Sequence, residues 1–92
     1  MNKENITYKI EKVHFMPKEI QEGIIYISEE FSISKHKCPC GCGEVINIPI
    51  HEHRGWTINI VDDKVSFNPS IGNWYLKCKS HYYIKNNKII WC

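Results

Sequence analysis

Apolar and polar positions alternate in short runs along this chain. In residues 6–15, Ile6, Tyr8 and Ile10 fall on one side of an extended segment, which predicts a first strand broken by Met16-Pro17. Glu22-Gly23 is a turn signal. Ile24-Ile25-Tyr26-Ile27 is short and β-branched, the composition of a buried strand, and it leads into residues 28–34. Residues 36–43 contain Pro39, Gly41 and Gly43 and predict a loop or knuckle. In residues 45–50, Val45, Asn47 and Pro49 alternate with Ile46, Ile48 and Ile50, which predicts another strand. Residues 56–61 and 65–67 flank Asp62-Asp63-Lys64 as a hairpin connection. Asn68-Pro69-Ser70-Ile71-Gly72-Asn73 is dense in turn formers and predicts an ordered loop, after which residues 74–77 rejoin the sheet. The final hairpin is the clearest, with Tyr82-Tyr83-Ile84 and Ile89-Ile90-Trp91 around Asn86-Asn87, a pair that tolerates the positive φ of a type I′ turn. Apart from one short turn in residues 19–22, no segment shows helical period. The predicted class is all-β: a small antiparallel β-sandwich or open barrel with a C-terminal hairpin.

Size sharpens this picture. A chain of 92 residues forms one domain with a thin apolar core, and chains of this size often draw stability from a metal or from disulfides. The net charge of +2, with lysines scattered singly, weighs against nucleic acid as a partner. Residues 1–5 are polar and mixed in charge, unlike a targeting signal, and the apolar runs are only a few residues long, as in residues 24–27. The expectation is a cytoplasmic protein with no membrane segment. Reducing conditions there disfavour disulfides, so five cysteines, an odd number, point to a metal or to catalysis.

The cysteines fall in two groups. His36-Lys37-Cys38-Pro39-Cys40-Gly41-Cys42-Gly43 is followed about 35 residues later by Cys78-Lys79-Ser80-His81, a separation within the range of two-part zinc sites. Three cysteines at alternate positions in a Pro/Gly loop are poor core residues, and glycines allow the tight turn of a knuckle. The expected cofactor is therefore one zinc ion. Cys38, Cys40, Cys42, Cys78 and His81 are five candidates for four places, with His36 a sixth. Cys78 and His81 lead, joined by two or three of the loop cysteines. Four protein ligands make such a site structural, whereas three leave a position for an activated water. Cys92 reads as a small apolar side chain or a terminal thiol.

Other polar residues carry two readings each. His36 is a neighbour of the metal site or a general base, since its ordinary pKa lies near neutrality. Ser70 and Ser80 cap turns, or serve as nucleophiles if an imidazole lies in reach. His51-Glu52-His53 resembles a second metal pair, but with no further ligand nearby it reads first as an exposed turn. Trp56, Trp74 and Trp91 read as core, and of Tyr82 and Tyr83 one is buried and the other exposed.

Four strings together resemble a family of small bacterial zinc-binding proteins of unknown function: Gly23-Ile24-Ile25-Tyr26-Ile27-Ser28, His36-x-Cys38-x-Cys40-Gly41-Cys42-Gly43, Pro69-Ser70-Ile71-Gly72-Asn73-Trp74 and Cys78-x-Ser80-His81-Tyr82-x-Ile84. The resemblance covers residues 16–91; residues 1–15 look variable, and His51-Glu52-His53-Arg54 lies where no fixed motif is expected. Members resemble proteins encoded beside bacterial ubiquitin-like proteins and their E1-like and E2-like enzymes, in antiphage-type conjugation operons. The resemblance implies a peptidase that matures or removes the ubiquitin-like protein, with that protein or its C-terminal tail as partner. It implies a serine nucleophile, Ser70 or Ser80, with His36 as base and zinc as a brace. A metallopeptidase with a carboxylate base such as Glu30 is the other mechanism. A non-catalytic zinc module that binds a protein of the conjugation machinery is the alternative from a different class.

Overall fold

The computed structural model describes residues 6–92, so the polar segment at residues 1–5 lies outside the described residues. Nine strands and no helix make up these residues, in the order β1 (Lys9–Lys12), β2 (Ile24–Ser28), β3 (Ile33–Lys37), β4 (Val45–Pro49), β5 (Thr57–Val61), β6 (Lys64–Asn68), β7 (Ile71–Gly72), β8 (His81–Lys85) and β9 (Lys88–Trp91). They form three small sheets: β1-β2-β3-β4, the hairpin β5-β6, and β7-β8-β9. The all-β class holds, and no helix is long and apolar enough to cross a membrane.

The paired strands are antiparallel except β1 with β2, which run parallel with Lys9 opposite Ile24 and Lys12 opposite Ile27. The predicted alternation in the first segment is present: Tyr8 is buried, while Lys9, Glu11 and Lys12 face solvent. β2 is buried at Ile25, Tyr26, Ile27 and Ser28, as its β-branched composition predicts. In β4, Ile46 and Ile48 point inward and Val45, Asn47 and Pro49 outward.

Two hairpins turn on paired residues with positive φ. Asp62 and Asp63 have φ of 51° and 61°, and Asn86 and Asn87 of 50° and 67°, the signature of two-residue type I′ turns. The first turn is one residue shorter than expected, because Lys64 already belongs to β6. Asn87 also explains why the second hairpin needs asparagine. Its buried side-chain Oδ1 accepts from the Val65 N–H at 2.6 Å and its Nδ2 donates to the Asp63 carbonyl at 3.1 Å, so the tip of β8-β9 is fastened to β5-β6.

One core joins the three sheets, built from Tyr8, Ile25, Ile27, Ile46, Ile48, Val65, Phe67, Ile71, Tyr82, Ile84 and Ile89, with Cys38 at its border. Fully burying one such aliphatic side chain stabilises by about 1.5–3 kcal/mol, so these residues carry most of the drive to fold.

Four expectations fail. β3 is a strand although its sequence, Ile33-Ser34-Lys35-His36-Lys37, alternates buried and half-buried positions whose buried members are polar, Ser34 and His36. Polar residues on the inward face erase the hydrophobic period that marks a strand. Ile71-Gly72 forms the short strand β7 beside β8 rather than a loop, because the buried Ile71 and Tyr82 pair. Residues 74–77 do not rejoin a sheet. They form a turn closed by Leu76 N–H to the Asn73 carbonyl at 3.0 Å, and Trp74, expected in the core, is 61% exposed.

Candidate functional site

The knuckle extends the β3-β4 hairpin. Cys38 N–H donates to the Glu44 carbonyl at 2.9 Å and Gly41 N–H to the Cys38 carbonyl at 3.1 Å. Gly41 and Gly43 hold φ of 89° and 86°, a backbone that only glycine adopts without strain. This curl points Cys38, Cys40 and Cys42 at Cys78, which arrives from the β7-β8 connection. The four sulfurs lie within 4.8 Å of one another, with Cys38 Sγ 3.4 Å from Cys40 Sγ and 3.8 Å from Cys78 Sγ, and Cys42 Sγ 3.9 Å from Cys78 Sγ. Tetrahedral zinc thiolates with bonds of about 2.3 Å require sulfur separations near ~3.8 Å, so the donor set fits that ion in number, softness and spacing. The four cysteines close together can hold a metal ion. Burial pushes the Cys38 and Cys40 thiols up. It pushes Cys78 up as well, but hydrogen bonds from Ser80 and from Cys40 and Cys38 outweigh it and hold that thiol down to about 7.

His81, expected as a ligand beside Cys78, is outside this group. The reason is strand alternation. Asn73 N–H donates to the Ser80 carbonyl at 2.8 Å, which makes Asn73–Ser80 and Ile71–Tyr82 the hydrogen-bonded pairs and Gly72–His81 a non-hydrogen-bonded one. Ile71, Asn73, Ser80 and Tyr82 therefore face inward, and all four are buried. Ser70, Gly72 and His81 share the outward face, where Ser70 Oγ lies 2.8 Å from His81 Nε2. That distance is within the reach of a nucleophile and its base. The Trp56 indole N–H donates to the Ser70 carbonyl at 3.2 Å and fixes the backbone beneath the hydroxyl. Trp74 packs on the imidazole with ring centroids 4.9 Å apart. Among the described residues no carboxylate stands within ion-pair distance of His81.

The other two residues expected in catalysis sit on the inner face. Ser80 Oγ accepts from Asn73 Nδ2 at 2.9 Å and lies 3.2 Å from Cys38 Sγ and 3.6 Å from Cys78 Sγ. Asn73 and the two sulfurs thus share the Ser80 hydroxyl as a hydrogen-bond partner. His36 is fully buried in β3, with Nε2 2.7 Å from the Tyr82 hydroxyl and the Tyr8 ring edge-on at 5.7 Å. Burial lowers its pKa to about 4, so the ring is neutral near pH 7. The structure brings His36 to Tyr82, and brings His81 rather than His36 to Ser70.

Glu30 pairs with His14 at 2.8 Å and is not part of the cysteine group. His51 uses Nδ1 to accept from the N–H groups of His53 and Arg54, both at 3.1 Å, so it closes an exposed turn. Sequence reasoning missed the pairing of Ser70 with His81. The period-2 pattern Ile71, Asn73 against Ser80, Tyr82, Ile84 was the signal that could have found it.

A family model described as bacterial ubiquitination-like system serine protease (BubE) matches residues 12–92. The chain belongs to the BubE family. No curated protein and no solved structure gives a match. The BubE match contains Ser70, His81 and all four clustered cysteines, and it supports a protease role within a ubiquitination-like pathway.

Proposed function

We propose that this protein is a serine-type peptidase that cleaves at the C-terminal tail of a ubiquitin-like protein, with Ser70 as nucleophile, His81 as base and a structural zinc held by Cys38, Cys40, Cys42 and Cys78. The observation that carries this reading is the 2.8 Å contact between Ser70 Oγ and His81 Nε2 on an accessible face, in a member of a serine protease family. Ser70 Oγ attacks the scissile carbonyl as His81 Nε2 takes its proton. The imidazolium then donates that proton to the leaving amine as the C–N bond breaks, which leaves an acyl ester on Ser70. Water, deprotonated by His81, hydrolyses the ester and restores the pair. Zinc, when bound, supplies positive charge for four thiolates and ties the knuckle to the segment leading into β8. Ser80 orients the Cys38 sulfur, and all four ligands come from the protein, the closed arrangement of a structural site. The ubiquitin-like protein or its C-terminal tail is the expected partner, with the E1-like and E2-like enzymes of the same pathway as further ones.

The test is labelling with a fluorophosphonate together with cleavage of the pathway's ubiquitin-like precursor. Wild type takes one label and cleaves; Ser70→Ala takes none and loses at least about 10³-fold in turnover. Labelling or cleavage that survives in Ser70→Ala overturns the assignment. A non-catalytic partner-binding module is the second reading, favoured by the lack of a carboxylate on His81 among the described residues. It is established if wild type binds the ubiquitin-like protein tightly and never cleaves it.

A further inference from the structure

Trp74 is a large apolar side chain that the fold exposes beside the proposed base. Glycine at position 72 makes this possible. A Cβ there would stand 2.8 Å from Trp74 Nε1 and 3.2 Å from Cε2, so the indole lies directly on the Gly72 backbone and against His81, its partner across the strands. The ring is held by this seat and yet stays 61% exposed. Beyond it opens a cleft of about 480 Å³, walled by Trp74 and Trp91 and lined by Pro39, Cys40, Cys78 and His81. Lys79 is the one charged side chain among its lining residues. The volume and the apolar walls are those of a site for an organic side chain rather than for a solvated polar group.

Direction along the substrate follows from the pair of catalytic groups. Ser70 does not line this cleft, whereas His81 does. The acyl carbon must sit on Ser70, and the departing nitrogen must meet the imidazole that protonates it. Substrate that enters the cleft therefore lies beside the imidazole and away from Ser70, on the side of the departing nitrogen.

We propose that the Trp74–Trp91 cleft is the subsite for an apolar side chain on the leaving-group side of the scissile bond, and that Trp74 is the residue that sets this specificity. The proposal rests on the Ser70–His81 reading. It is tested with the pathway's ubiquitin-like protein carrying a short C-terminal extension whose first residue is Leu, Phe, Gly or Asp. Wild type prefers Leu and Phe over Gly by about 10–100-fold in kcat/KM, the scale of filling one apolar pocket. In Trp74→Ala the ratio of Leu to Gly falls towards one, and in Trp74→Phe it is largely kept. The ratio is taken within one variant, so a disturbed His81 or a loss of folded protein cancels from it. No Leu preference in wild type, a preference for Asp, or a Trp74→Ala change confined to residues before the scissile bond overturns the proposal. Cleavage retained in Ser70→Ala overturns the underlying reading instead.

Discussion

The two faces of the β7-β8 pair each carry a serine near an imidazole-bearing network and face opposite environments. Outward lie Ser70 and His81, half-buried and 2.8 Å apart. Inward lie Ser80, Asn73 and Tyr82, which continue to His36 and to Cys38. The hydroxyl on the inner face is taken up by Asn73 and the sulfurs, and the buried imidazole of His36, which meets Tyr82 on that face, stays neutral. The hydroxyl on the outer face, on half-buried Ser70, has the His81 imidazole within reach. Residue type thus says little about surroundings in this protein; the side of the strand decides which neighbours each serine and histidine meets.

The largest effect that can break this contrast is removal of the metal. Purified protein should contain about one zinc per chain, and stripping it with a chelator, or Cys78→Ser, should unfold the chain by circular dichroism. Structural zinc sites contribute on the order of 10 kcal/mol, comparable to a small domain's whole stability. Metal-free protein that keeps its fold and melting temperature would show the core alone suffices.

The pH dependence of His36 comes next. Its pKa falls from the ordinary 6.5 to about 4 in the folded state, so between these values the unfolded chain binds more protons than the folded one. Stability is complete above pH 6.5 and declines as the pH falls towards 4, by up to about 3 kcal/mol from this group. His36→Gln, compared with wild type in urea melts across pH 4–7, should remove that part of the slope. Parallel pH profiles for the two proteins would mean that the ring is not buried neutral.

Ser80→Ala should have the smallest effect and the sharpest meaning. It leaves Asn73 and the Cys38 sulfur without their shared partner, about 1–3 kcal/mol of stability and about 10–100-fold in zinc affinity. Fluorophosphonate labelling should persist, in contrast to Ser70→Ala. Loss of label at full zinc occupancy would exchange the roles of the two serines.

Much of this was legible beforehand. Ile46 and Ile48 mark β4, Asn86-Asn87 marks the last turn, and the two cysteine-bearing strings announce a shared centre, though with His81 among its expected ligands, because alternation, turn chemistry and ligand spacing are local properties of the chain. β3 was not legible, since Ser34 and His36 occupy its buried face and are satisfied only by groups distant in sequence, as when His36 meets Tyr82. Nor was Ile71-Gly72, two residues whose strand character comes entirely from β8. The sequence by itself determined an all-β chain with a cysteine centre and with serines and histidines available for chemistry. Only the tertiary structure decided that His81 turns to Ser70 and that His36 and Ser80 turn inward. A hydrogen bond between residues 11 or 46 positions apart depends on strand register, and register is fixed by packing of the whole core rather than by any short stretch of chain.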